Sequence, residues 1–225
     1  QSVICTVFGR EQKILKSGIK LKGAEMEEFN VLKVGDKVTD FELDAYLPAK
    51  KDFGKIRFSE IFKRGNWLIL FFYPADYTFV CPTELADAGE KYSEIKQLGA
   101  ELVSVSTDTH FVHYAWQQQE KLLSEIKFPM AADPTHIVSK GFGVYDAGSG
   151  LALRGTFIID PDGKLLASEV NYFPVGRNSD ELLRKLKAFR FVRENPSNVC
   201  PAKWQPGGKT LTPGKDIVGR VGEKL

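Results

Sequence analysis

The chain has 225 residues, of which 43% are hydrophobic and 27% are charged, a composition typical of globular proteins rather than disordered or fibrous ones. Its net charge is +2, from 31 lysine and arginine residues against 29 acidic ones, so no basic field indicates nucleic acid as a partner. The most apolar stretch, residues 67–73 (WLILFFY), is far too short to cross a bilayer. The sequence therefore predicts a soluble protein with no nucleic-acid or membrane partner.

The first 33 residues show no sustained hydrophobic period, and we interpret residues 1–33 as an N-terminal extension. Their start, QSVICTVFGREQK, has neither a basic region nor a small-residue cleavage site. We therefore expect a cytoplasmic protein, although a chain that begins with Gln1 leaves targeting partly open. The main domain is predicted over residues 34–194.

Residues 38–47 (VTDFELDAYL) alternate apolar and polar side chains, which predicts a half-buried strand. Residues 67–73 are apolar on both faces, which is typical of a central strand covered by helices on either side. Pro74 ends this strand. Pro82 and the acidic Glu84 then indicate the start of a helix. Apolar residues follow at helical spacing until Gly99.

The remaining elements alternate between strands and helices, which predicts an α/β fold. The sequence Asp160-Pro161-Asp162-Gly163 predicts a tight turn, after which the chain returns antiparallel. Thr109 is the expected cap of its helix. We predict strands at residues 101–106, 128–131, 151–160 and 164–172, and helices at residues 109–123, 134–141 and 179–192.

Beyond Asn195 the composition changes, because prolines and glycines crowd the chain. Residues 195–225 are therefore predicted to form a mobile C-terminal arm.

Three isolated cysteines, Cys5, Cys81 and Cys200, cannot form a disulfide scaffold, and no CxxC pair of a zinc site is present. His110 and His113 are three residues apart, but no further ligand lies near them in sequence. We interpret them as polar surface or active-site rim residues rather than a metal site. No metal or organic cofactor is expected.

Cys81 lies where the buried strand gives way to a helix start, so unpaired helix N–H groups favour its thiolate, the nucleophilic form. Thr78, one turn earlier, offers a hydroxyl that can accept a hydrogen bond from a substrate oxygen or donate one to the sulfur. Pro74 can shield the site from water. On these observations alone, a buried structural thiol remains the alternative.

Pro74, Thr78 and Cys81 match the pattern Pro-x-x-x-Thr-x-x-Cys within FFYPADYTFVCPTEL, which resembles the peroxiredoxins, specifically the typical two-cysteine group that includes the bacterial alkyl hydroperoxide reductase peroxidase. The resemblance extends over roughly residues 34–222. It includes VSTDTHFVHYAW, DPT, LRGTFIIDPDG, VGR and VCPAKW. It implies a thioredoxin-like fold with added N-terminal strands and a C-terminal arm, acting as a thiol-dependent peroxidase on hydrogen peroxide and alkyl hydroperoxides.

The resemblance also implies roles for individual residues. Cys81 corresponds to the cysteine that attacks peroxide and becomes a sulfenic acid, and Arg154 to the arginine that stabilises the thiolate and the peroxide oxygens. Arg154 lies in an apolar strand, where a buried partner is expected in any case. Thr78 positions the peroxide, Glu84 holds a hydrogen-bond network with the arginine, and Pro74 caps the pocket.

Trp116 is assigned a packing role at the pocket edge. Cys200 corresponds to the resolving cysteine. Its separation from Cys81 leaves open whether the disulfide closes within or between chains, and the resemblance implies an intersubunit bond. It also implies a homodimer and a ring of dimers such as a decamer. Because no CxxC is present, the reductant is external, either thioredoxin or a flavoprotein reductase. Cys5 is interpreted as a free thiol.

Two features of oxidation-sensitive eukaryotic members are missing: EKLLSEIKF contains no GGLG insert, and no Tyr-Phe pair ends the arm. The extension before Val34 has no counterpart in the family. Two alternatives are weighed: a ring-forming holdase chaperone in which Cys81 is only structural, and a thiol–disulfide oxidoreductase on the same fold, which usually requires two nearby thiols.

Overall fold

The computed structural model describes residues 30–224. They contain a seven-stranded mixed sheet with strand order β2-β1-β5-β4-β3-β8-β9 and a separate two-stranded ribbon of β6 and β7. The strands are β1 (Glu42–Leu47), β2 (Asp52–Arg57), β3 (Trp67–Phe72), β4 (Ala100–Ser106), β5 (Met130–Ala132), β6 (Tyr145–Asp146), β7 (Leu151–Ala152), β8 (Arg154–Ile159) and β9 (Leu165–Asn171). The helices are α1 (Phe58–Lys63), α2 (Cys81–Gln97), α3 (His110–Gln119), α4 (Ile137–Gly141) and α5 (Ser179–Glu194).

The central strand β3 is buried along its whole length, as predicted. It pairs parallel with β4 and antiparallel with β8. Because successive side chains point to opposite faces, Ile69 and Phe71 join a core with α2, α3 and α5, whereas Leu68, Leu70 and Phe72 join a core with α1 and α4. The predicted α/β class with helices on both sides of β3 is confirmed.

The sequence pattern did not predict β2, the strand that forms a hairpin with β1, or α1, the helix that follows β2. β2 is the edge of the sheet, and only Gly54 and Ile56 of its six residues are even half-buried. Such a strand carries no hydrophobic alternation to detect. Helix α1 has six residues, too few to display a helical period.

Two predicted elements are divided in the structure. The helix expected over residues 109–123 ends at Gln119, because Glu120 is extended (φ −85°, ψ 112°), and the chain continues as a 3₁₀ turn, Lys121–Leu123. The strand expected over residues 151–160 is split at Leu153 into β7 and β8. The first predicted strand begins at Glu42 rather than at Val38.

The fold places the β3–α2 connection at the carboxyl end of the parallel strands, where α/β proteins usually bind ligands. β8, directly beside β3, brings Arg154 to the same region. No helix within the described part of the chain has the length and apolar character needed to cross a membrane.

Candidate active site

Cys81 is the first residue of α2 and is fully buried. Val80 occupies the capping position, and no side chain caps the helix. Pro82 follows in the first turn, where its missing N–H breaks no helical hydrogen bond. The positive end of the helix dipole therefore faces the sulfur without a competing anionic cap, which favours the thiolate.

Arg154 contacts the sulfur directly. Its Nη1 lies 3.5 Å from the Cys81 Sγ and donates to Glu84 Oε2 at 2.5 Å, while its Nε donates to the Phe173 carbonyl at 2.7 Å. Three partners, two on α2 and one in the loop after β9, thus fix one guanidinium. The buried partner expected for this strand arginine is present.

Glu84 is held by a second arginine, Arg177, to which the sequence alone assigned no role. Glu84 Oε1 accepts from the Arg177 backbone N at 2.9 Å and from its Nε at 2.8 Å. Arg177 also donates from Nη1 to the Gly155 carbonyl and lies 3.5 Å above the Phe71 ring. Its only signal in the sequence is the VGR motif after β9. Burial lowers the pKa of Arg177, and the Glu84 carboxylate opposes this effect.

The buried charges of the site balance only when Cys81 is ionised. Arg154 and Arg177 carry two positive charges, and Glu84 carries one negative charge; all three side chains are almost completely buried. A thiolate supplies the second negative charge. Since an uncompensated buried charge is costly, the arrangement stabilises the thiolate over the thiol.

Thr78 and Pro74 lie in the loop before Cys81. The Thr78 hydroxyl donates to the Ala75 carbonyl at 2.8 Å, so its donor is occupied and its lone pairs remain. Of the two functions expected for Thr78, the geometry therefore favours accepting a hydrogen bond from a substrate oxygen. Pro74 is buried, consistent with a shielding position.

Trp116 is buried and packs against this loop, with its ring centroid 6.1 Å from that of Tyr73 and 6.2 Å from that of Tyr77. It lines a cavity of about 280 Å³ together with Thr78. Its placement fits the packing role expected at a pocket edge.

The interpretation of His113 as a surface or rim residue was wrong, because this side chain is fully buried. Its Nδ1 lies 2.7 Å from Asp76 Oδ2, and its Nε2 lies 3.1 Å from the Ala131 carbonyl. The Tyr73 hydroxyl donates to the other Asp76 oxygen at 2.7 Å. This buried network fixes the loop that leads to Cys81. His110, by contrast, is only half-buried and packs against Phe53.

Cys200 does not meet Cys81 in the structure. Both are free thiols, and the Cys200 sulfur lies half-buried against α5, 3.9 Å from the Ala188 carbonyl. Burial raises the pKa of Cys200, and the nearby Arg184 charge partly opposes this shift. Cys5 lies outside the described residues.

Comparisons with known proteins agree with this geometry. Residues 34–168 match the AhpC/TSA family, and residues 188–223 match the C-terminal domain of 1-Cys peroxiredoxin. The chain belongs to the AhpC/TSA family of peroxiredoxins. It is 46% identical to alkyl hydroperoxide reductase C of Staphylococcus aureus over 188 residues, which cover 84% of this chain and 98% of the relative.

Solved peroxiredoxin structures share the fold. Enterococcus faecalis AhpC superimposes with a TM-score of 0.70 at 45% identity, covering 75% of this chain and 98% of that one. The reduced 2-Cys peroxiredoxin of Plasmodium vivax gives a TM-score of 0.79 at 28% identity, covering 84% and 98%. These likenesses confirm the thioredoxin-like fold predicted from the sequence. The divisions at residues 33 and 195 stay predictions.

Proposed function

We propose that this peroxiredoxin reduces hydrogen peroxide and alkyl hydroperoxides with Cys81 as the nucleophile. The thiolate attacks one peroxide oxygen and the O–O bond breaks. The departing oxygen takes up a proton and leaves as water or an alcohol, and Cys81 becomes a sulfenic acid.

A single observation carries the proposal: one Arg154 nitrogen contacts both the Cys81 sulfur and Glu84. A positive charge fixed in this way stabilises the thiolate before reaction and the developing oxygen charge during it, without reorganisation. Thr78, with its hydroxyl lone pairs available, accepts a hydrogen bond from the peroxide, and Pro74 limits water access.

Cys200 resolves the sulfenic acid. Its thiol condenses with Cys81 of another chain, releasing water and leaving an intersubunit disulfide. An external dithiol reductant, thioredoxin or a flavoprotein reductase, then restores both thiols by disulfide exchange. Such a cycle suits the reducing cytoplasm, where we place the protein.

Members of the family form oligomers, and two surfaces support a homodimer and a ring of dimers here. β9 forms one edge of the described sheet and exposes Val170, so it can pair with a second copy. Phe53, Phe111 and Tyr114 form an exposed aromatic cluster, with ring centroids 5.2 to 5.7 Å apart around Phe53. Contiguous exposed apolar surface of this kind marks an association site.

The experiment is peroxide consumption with excess dithiothreitol as the reductant. We expect Cys81→Ser to lose at least about a thousandfold in rate, because an alcohol has essentially no anion at neutral pH. Cys200→Ser is the matched control: in a parallel reaction without dithiothreitol it should complete one turnover and form no disulfide-linked dimer on a nonreducing gel. If Cys81→Ser retained the wild-type rate, the assignment would be wrong, and a holdase or a thiol–disulfide oxidoreductase, neither of which the comparisons favour, would have to be tested.

A further inference from the structure

One buried residue holds the C-terminal arm on α5. Trp204 is 5% exposed and is the only buried residue among the described residues 195–224. Its ring centroid lies 5.1 Å from that of Phe191, and its Nε1 donates to the Gly208 carbonyl at 3.2 Å. The docked position of the arm therefore depends on Trp204.

Arg184 on α5 binds the backbone of this anchor. Its Nε and Nη2 donate to the two oxygens of Glu181 at 2.6 and 2.9 Å, which fixes the guanidinium. The remaining Nη1 donates to the Trp204 carbonyl at 3.0 Å. A charged donor makes this bond stronger than one between neutral groups.

The same turn places Cys200. The Trp204 backbone N donates to the Pro201 carbonyl at 3.2 Å, and Lys203 adopts a left-handed conformation with φ +61°. The segment from Cys200 to Trp204 is thus a closed turn with both ends resting on α5, one through Trp204 and the other through the sulfur near Ala188. Displacement of Trp204 from α5 would therefore displace Cys200 from α5 as well.

The groove around the Cys200 sulfur has a volume of about 330 Å³, and its charged lining residues are Arg184 and Lys185 on α5 and Lys203 on the arm. The Arg184 charge favours the thiolate, yet burial is the larger effect and raises the pKa of Cys200. The docked arm therefore keeps this residue as a weakly nucleophilic thiol.

We propose that Arg184 is a positioning residue for the resolving step: by binding Trp204 it retains Cys200 on α5 and sets how fast the thiol reaches a Cys81 sulfenic acid. This inference rests on the proposed function. In the step, Cys200 loses its proton, its sulfur bonds to the Cys81 sulfur, and the sulfenic hydroxyl leaves as water. No further oxidant is required.

The test compares Arg184→Gln with Lys185→Gln in the full chain. Both remove one positive charge beside Cys200, but Lys185 donates to Glu169 and not to the arm. After one equivalent of hydrogen peroxide, quenched samples on nonreducing gels give the rate of disulfide formation. We expect an increase of about tenfold for Arg184→Gln, the usual effect of one lost hydrogen bond to a charged group, and no more than about twofold for Lys185→Gln.

A pH profile separates anchoring from simple charge loss. In reduced protein carrying Cys81→Ser, alkylation of the Cys200 peptide is followed by mass spectrometry against pH. Release of the arm restores hydration, so Arg184→Gln should move the midpoint to lower pH. Loss of positive charge alone would move it to higher pH, as expected for Lys185→Gln. Trp204→Ala, which removes the anchor from the arm side, should behave like Arg184→Gln.

Unchanged or slower disulfide formation in both Arg184→Gln and Trp204→Ala, with an active wild type, overturns the inference and leaves the proposed function standing. An alkylation midpoint that rises in Arg184→Gln also overturns it. A wild type that neither consumes peroxide nor forms the disulfide overturns the proposed function instead.

Discussion

Replacing Arg154 with glutamine removes the charge that faces the Cys81 sulfur and leaves Glu84 paired with Arg177, so the buried carboxylate keeps a cationic partner and the fold survives. At the observed 3.5 Å, one charge pair is worth about 5 kcal/mol for an effective dielectric constant of about 20. The same guanidinium is shared with Glu84, which cancels roughly half of that attraction. We therefore expect Arg154→Gln to lose about 2 to 3 kcal/mol of transition-state stabilisation, or about a hundredfold in rate.

The assay is stopped-flow reaction of the reduced enzyme with hydrogen peroxide under single-turnover conditions. Arg193→Gln is the control, because it removes a surface arginine that pairs with Asp160 and Asp162 far from the sulfur. If Arg154→Gln kept its rate within threefold of the control, the electrostatic account of the site would fail.

Thr78→Val should lower the peroxide rate by about a hundredfold because it removes the acceptor, whereas Thr78→Ser should retain most of the rate in the same stopped-flow assay. Arg177→Met removes the guanidinium that donates to the buried Glu84 and leaves only the backbone N–H of residue 177 on that side, so urea unfolding should show a loss of about 3 kcal/mol. Because burial raises the pKa of Cys200, its thiolate is scarce at neutral pH, and rapid-quench gels should show disulfide formation accelerating as the pH rises above neutral. Under millimolar peroxide with reductant cycling, most chains should stay active, because the segment EKLLSEIKF contains no GGLG insert; mass spectrometry showing two added oxygens on Cys81 in most chains would contradict this.

The elements that the sequence predicted are those with a strong hydrophobic pattern or with proline or glycine at their ends. β3 is continuous in apolar residues, and α2 begins at Cys81 next to Pro82 and ends before Gly99, which takes φ +68°. The edge strand β2 was missed because pairing with β1, and not burial, makes it a strand. Local pattern carries no information about a partner strand.

Site residues divide in the same way. Cys81, Thr78 and Pro74 are close in sequence, so their spacing predicted that they lie near one another in the structure. Arg154 and Arg177 reach the site only because β8 lies beside β3 and because the chain after β9 turns back over it. The burial of His113 could not be predicted from the sequence. An isolated polar side chain faces solvent or the protein interior according to the helix face on which it lies, and here it faces the buried carboxylate of Asp76.

The C-terminal arm shows why composition is a weak guide to how a segment sits on a fold. Prolines and glycines predicted a mobile arm, because they disfavour helices and strands. They say nothing about docking, which requires only one large side chain and a receptive surface. Trp204 supplies the first, and α5 supplies the second through Phe191 and Arg184. A segment held mainly by one buried side chain can be released by breaking few contacts, so a segment with little regular secondary structure can still have a defined docked position. Hydrogen exchange at residues 199–208 of the reduced protein should therefore be slower than in a free peptide and become fast together in Trp204→Ala.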